Sequence, residues 1–130
     1  MAAVLLIANI YVTNFYQPPN TNPELYADYG MKAKITDNIV WWNVRAADVN
    51  YSKILYARNP HNFNISLTFF WEAFPDNMTQ YCDWKAEAPE VLQPLELVEI
   101  KLYLTVREND WLGISAFEGD VLTQIKGEVQ

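Results

Sequence analysis

The chain has 130 residues, of which 51% are hydrophobic, 15% aromatic and only 19% charged. That length suits one domain built on one core, residues 1–130, and the composition excludes a disordered chain. Sixteen acidic against nine basic residues leave a formal charge of −7, with no cluster of Lys or Arg, which argues against direct contact with nucleic acid.

The opening run from Ala2 to Ala8 is apolar, but no basic residue precedes Lys32 and the run breaks at Asn9, too soon to span a bilayer. It reads as a buried strand, Val4 to Phe15, and neither as a signal peptide nor as a membrane anchor. Up to Ile7 this stretch is apolar on both faces. It then alternates Ile10 and Val12 against Asn9, Tyr11 and Thr13, as a central strand or one covered by a neighbouring subunit would. Gln17 to Gly30 follows as a long Pro-containing connection, in which Glu24 to Tyr29 could form a helical turn.

Ile39 to Arg45 puts Ile39 and Trp41 on one face and Val40, Trp42 and Val44 on the other, so one of the two tryptophans points away from the main core. Tyr51 to Arg58 reads as a shorter strand, and the turn chemistry of Asn59-Pro60-His61-Asn62 joins it to the next strand as a hairpin. That next strand, Phe63 to Phe74, sets Phe63, Ile65, Leu67, Phe69 and Trp71 against Asn64, Ser66, Thr68, Phe70 and Glu72, with Phe70 interrupting the polar side. Pro75 to Pro94 is the second long Pro-rich loop.

The clearest strand is Val98 to Arg107, where Val98, Ile100, Leu102, Leu104 and Val106 alternate with Glu99, Lys101, Tyr103, Thr105 and Arg107. Gly113 to Phe117 and Val121 to Ile125 flank Glu118-Gly119-Asp120, read as a tight reversal between two strands. A helix over Trp111 to Lys126 is the rival, disfavoured because Gly113 and Gly119 would cost it about 1 kcal/mol each relative to Ala. The expected fold class is all-β, a single antiparallel β-sandwich or small β-barrel of about seven or eight strands with two long Pro-rich loops.

Catalytic chemistry finds little to use. His61 is the only imidazole and Cys82 the only thiol, and they fall in separate predicted loops. Asp28, Asp37, Glu72, Asp76, Asp83, Glu118 and Asp120 offer many carboxylate pairs but no motif. No thiolate cluster, His pair or EF-hand loop is present, which leaves at most a loose oxygen site for calcium, and the glycines at 30, 113, 119 and 127 form no phosphate-cradling run. No catalytic residue, metal site or cofactor is therefore expected. A single cysteine forbids an intrachain disulfide and fits a reducing compartment, and the sequons at Asn50, Asn64 and Asn77 are too loose a pattern to imply glycosylation.

What stands above background is aromatic. Trp41, Trp42, Phe70, Trp71, Trp84, Tyr103 and Trp111 exceed what one small core easily hides, so some must face outward. With Tyr26, Tyr29 and Tyr81 of the long loops, Trp41, Trp42, Phe70, Trp84, Tyr103 and Trp111 are the candidate interface residues. The expected function is that of a non-enzymatic structural protein binding neighbouring subunits, most simply a virion component such as a capsid decoration or cement protein, or a head–tail joining protein of a tailed phage. The expected partners are other structural proteins and further copies of the chain, in a virion if the source is viral and otherwise in the cytoplasm. A carbohydrate-binding module using Trp84 or Trp111, and an acidic intracellular inhibitor, are the alternatives.

Overall fold

The computed structural model describes residues 20–45, 49–107 and 118–130. The strand expected over Val4 to Phe15, the Gly113 to Phe117 arm and Trp111 lie outside the described residues. Eight strands are described: β1 Glu24–Tyr26, β2 Ile39–Val44, β3 Val49–Arg58, β4 Ile65–Phe74, β5 Cys82–Glu87, β6 Val91–Leu92, β7 Leu97–Val106 and β8 Gly119–Val129, with single 3-10 turns at Thr36–Asn38 and Asp76–Tyr81. They form two antiparallel four-stranded sheets in the orders β1-β3-β7-β5 and β2-β8-β4-β6, a β-sandwich. Consecutive strands alternate between the sheets, so each connection passes from one layer to the other.

Period-two alternation builds the shared core. Along β7 the even-numbered Ile100, Leu102, Leu104 and Val106 are fully buried, and they meet Leu55 and Ala57 of β3 within the same sheet. Trp42, Val44, Ile65, Ala73, Val121 and Ile125 face them from the other sheet. The one polar pair inside this layer is satisfied, since Trp42 Nε1 donates to the buried Thr123 hydroxyl at 2.9 Å.

Three expectations are corrected. Asn59 to Asn62 does not close a hairpin, because β3 and β4 belong to different sheets. Asn59 is buried and spends its polar groups on the β6–β7 connection, so the chain turns out of the first sheet there and into the second.

The two long stretches are not bare loops either. Gln17 to Gly30 contains β1 over residues that could have formed a helical turn, and Pro75 to Pro94 contains a 3-10 turn, β5 and β6. In β5 the inward Cys82, Trp84 and Ala86 alternate with the outward Asp83, Lys85 and Glu87, a real period of two that the flanking prolines disguise.

Glu118-Gly119-Asp120 is no reversal, since Gly119 and Asp120 start β8 opposite Val44 and Asn43, and the rival helix fails over the same residues. The glycine serves close packing there: a β-carbon on Gly119 would lie 2.7 Å from the Phe74 carbonyl and 2.9 Å from the Met78 side chain.

Candidate interaction surfaces

The two outer faces of the sandwich differ in kind. On the first sheet, Arg58 pairs with Glu24 at 3.2 Å, Lys101 with Glu99 at 3.7 Å and Arg107 with Asp83 at 3.0 Å, and Thr105 bonds Asn50 at 2.8 Å. Tyr103 sits among them with its phenol pushed above the ordinary tyrosine range by a hydrogen bond to Glu87 and by partial burial. Tyr26 is pushed the same way by burial and by its 3.1 Å bond to Glu24. Ile54, 54% exposed opposite Lys101, is the exposed aliphatic residue among these polar and ion-paired side chains.

The second sheet presents no ion pair among the described residues on its outer face. Trp41 is 55% exposed, Phe70 48% and Phe74 39%. The register makes them contiguous, because Trp41, Leu122 and Glu72 lie in one row across β2, β8 and β4, with Ile39, Gln124 and Phe70 in the next row. The Trp41 and Phe74 rings are 6.1 Å apart, and Lys126 holds its ammonium 5.3 Å from the Phe70 ring centre. The result is a surface on which Trp41, Leu122 and Phe74 cluster, with Ile39 and Phe70 in the next row on either side of Gln124, Glu72 between Phe70 and Phe74, and Asp120 and Lys126 at the two ends.

The sequence-derived candidates divide accordingly. Trp41 and Phe70 belong to the patch, whereas Trp42 is 2% exposed and points into the core. Trp84 faces inward and stacks on Trp71 with ring centres 5.3 Å apart, and Tyr81 is half-buried against the core. Tyr26 and Tyr103 lie on the polar sheet, and Tyr29, 70% exposed, meets Tyr56 edge to face at 5.6 Å beyond that sheet's edge. Phe74, Leu122 and Ile39 complete the patch and were not singled out from the sequence. The parity of β4, which places Phe74 on the side of Phe70, was the signal for the first of them.

His61 and Cys82 are kept apart. Cys82 pairs with Val106 at one end of β7, while the corner that carries His61 adjoins Leu97 at the other end, about 30 Å away along the strand. His61 stacks on Phe63 at 4.9 Å, with Nε2 2.9 Å from the Asn22 carbonyl. Cys82 donates toward the Met78 carbonyl, and burial, then the neighbouring Asp83, push its thiol up to about 11. At pH 8 the native thiol is therefore expected to react with a disulfide reagent at least tenfold more slowly than in the urea-unfolded chain. The raised value also contributes stability that is intact below pH 9 and lost as pH rises through about 11, which a pH series of urea midpoints reads directly.

A groove of about 880 Å³ opens beside β1 and β2, lined by Asn22, Lys34, Asp37, Asn38, His61 and Gln124 among others. Asn38 is committed to structure, donating to the carbonyls of Pro23 and Ile125. No group of three or more His, Cys, Asp or Glu among the described residues is placed to hold a metal ion, and no helix among them is long and apolar enough to cross a membrane. Comparison with protein families, with curated proteins and with solved structures returns no match for this chain.

Proposed function

We propose that this protein is a non-enzymatic structural subunit that packs against neighbouring subunits, copies of itself included, through the outer face of its second sheet. The observation that carries the reading is the asymmetry of the two faces. One pairs Arg58, Lys101 and Arg107 with carboxylates, while the other shows no ion pair among the described residues and carries exposed Trp41, Phe70 and Phe74 with half-buried Leu122 and Ile39, interspersed with Glu72 and Gln124. A virion component, such as a capsid decoration or cement protein or a head–tail joining protein of a tailed phage, is the assembly we favour. The strand order supports that choice by analogy of architecture. With β1 set aside, β2-β8-β4-β6 over β3-β7-β5 is the neighbour order of a jelly roll short of one edge strand, an architecture common among capsid domains.

The test is the native mass of the protein in solution and in its source particle, for the parent chain and for Trp41→Ala with Phe70→Ala. Both side chains point outward, so folding should persist while association weakens about thirtyfold, the equivalent of about 2 kcal/mol at an interface centre. A parent chain that stays monomeric and is found with no partner overturns the reading.

Carbohydrate binding is the second reading, and the observation that favours it is the polar groove, whose amides and carboxylates suit hydroxyl groups. Trp84 faces inward with one ring face stacked on Trp71, and it does not line this groove. In this reading Asp37→Ala with Gln124→Ala abolishes glycan binding and leaves the native mass unchanged.

A further inference from the structure

Among the described residues, the flank of the sandwich formed by β4 and β5 lacks a strand. β6 pairs only with Ile65 and Ser66 of β4, so Leu67 to Phe74 has no strand neighbour on that side among the described residues. Every second residue of this stretch turns its N–H and C=O away from β8, where only a further strand would pair them in register. The side chains tell the same story. Leu67, Phe69 and Trp71 face inward yet remain half-buried, as does Trp84 across from them on β5. At the opposite flank the inward Val40, Trp42 and Val44 of β2 are all buried.

Edges that are meant to stay single are defended by charge, and β5 is, with Asp83, Lys85 and Glu87. The free stretch of β4 carries only Glu72 among Leu67, Thr68, Phe69, Phe70, Trp71, Ala73 and Phe74, with no proline, and its continuous register with β8 shows no bulge. Left bare, it would pair indiscriminately.

We propose that the segment Val4 to Thr13 of a neighbouring copy fills this flank as an added strand along β4, a proposal that rests on the assembly reading above and names its contact. The lengths are compatible, since the free stretch of β4 extends about 26 Å at strand rise and the segment about 33 Å, enough to cover it. The chemistry agrees as well. Val4 to Ile7 is apolar on both faces, and a strand in this position needs both: one face closes over Leu67, Phe69, Trp71 and Trp84, and the other continues the outer patch of Phe70 and Phe74.

A neighbouring copy is the donor that the assembly reading calls for, and the two-copy cross-link below tells it from the same chain. Asn22 accepts the Gly127 N–H at 3.1 Å, and Asn38 holds the Pro23 carbonyl, which fixes residues 20–23 on the β2 side of β8 at the end where Gly127 lies opposite Leu67.

Two measurements decide it. A chain lacking residues 2–15 should associate at least tenfold more weakly than the full chain, and a synthetic peptide of residues 3–14 should bind it one to one and alter the fluorescence of Trp71 and Trp84. Independently of whether the shortened chain folds, a full-length copy with a cysteine scanned through positions 4–13 is mixed with a full-length copy carrying Thr68→Cys. A disulfide between the two copies is the expected product. Assembly of the parent chain with no such cross-link, and with no loss on truncation, overturns the strand and leaves the sheet-face reading standing. A monomeric parent chain that cross-links only within one copy, when both cysteines are placed on it, overturns both.

Discussion

Replacing Asn59 with alanine is expected to lower the stability of the folded chain by about 3 kcal/mol, a fall of about 10 °C in melting temperature for a domain of this size. Asn59 is 0% exposed, and its polar groups are all engaged. Its Oδ1 accepts the His61 N–H at 2.9 Å, and its Nδ2 donates to the carbonyls of Phe63 at 2.8 Å, Leu92 at 3.1 Å and Gln93 at 3.1 Å. Its backbone N–H goes to Glu96 at 2.9 Å, and its carbonyl receives Leu95 N–H at 2.8 Å. One side chain thus ties the β3–β4 crossing to the β6–β7 connection at the same end of the sandwich. Alanine keeps the backbone bonds but leaves the buried Leu92 carbonyl without its donor, at about 1–3 kcal/mol, and takes their partner from the part-buried Phe63 and Gln93 carbonyls and His61 N–H, which add smaller losses. Asn59→Asp should cost at least as much at neutral pH, because it removes the donor and sets a carboxylate against three carbonyl oxygens. Urea and thermal unfolding of both variants measure the effect; a change below about 1 kcal/mol for the two would mean that the corner is held by other contacts.

The second large effect comes from comparing two adjacent tryptophans. Trp42→Ala is expected to destabilise by about 4 kcal/mol, the range found for emptying a buried aromatic site, whereas Trp41→Ala should stay within about 0.5 kcal/mol in the isolated subunit. Trp42 fills the space between the sheets 6.0 Å from the Trp71 ring, with the Lys53 ammonium 5.3 Å from its own ring centre, and supplies the hydrogen bond to buried Thr123. Trp41 rests on the sheet exterior beside Phe74. Trp42→Phe separates volume from hydrogen bonding and should cost about 1–2 kcal/mol, since Thr123 loses its donor in a dry site. Denaturant midpoints give the three values. Equal losses for the two alanine variants would contradict the register of β2 on β8, because a shift of one residue exchanges the faces.

Strand identity was legible wherever alternation ran uninterrupted. Val98 to Arg107, Phe63 to Phe74 and Ile39 to Arg45 are β7, β4 and β2 almost residue for residue. It failed where a local signal carried two meanings. Asn59-Pro60-His61-Asn62 has turn chemistry, and a turn is present, but the same residues serve a hairpin or a crossing between sheets. The choice depends on Leu92, Gln93 and Glu96, distant in sequence. Gly119 carries a turn signal too, yet its use is the absence of a β-carbon against the Phe74 carbonyl. β5 was hidden because only Cys82, Trp84 and Ala86 mark its inner side, a short run between prolines.

What the sequence determined by itself is the all-β class, the inward sets of its longest strands, and the excess of aromatic residues over what one core can hide. These follow from a period of two, a property that neighbouring residues share along the chain. Tertiary structure alone decided that Trp42 enters the core and Trp41 leaves it, that the ion pairs among the described residues gather on one sheet, and that the other sheet carries Trp41, Phe70 and Phe74 on its exterior and, among the described residues, no strand neighbour beside Leu67 to Phe74. The physical reason is that alternation fixes two faces without ranking them. Only pairing with strands far away in sequence shows which face is covered and which edge is left open.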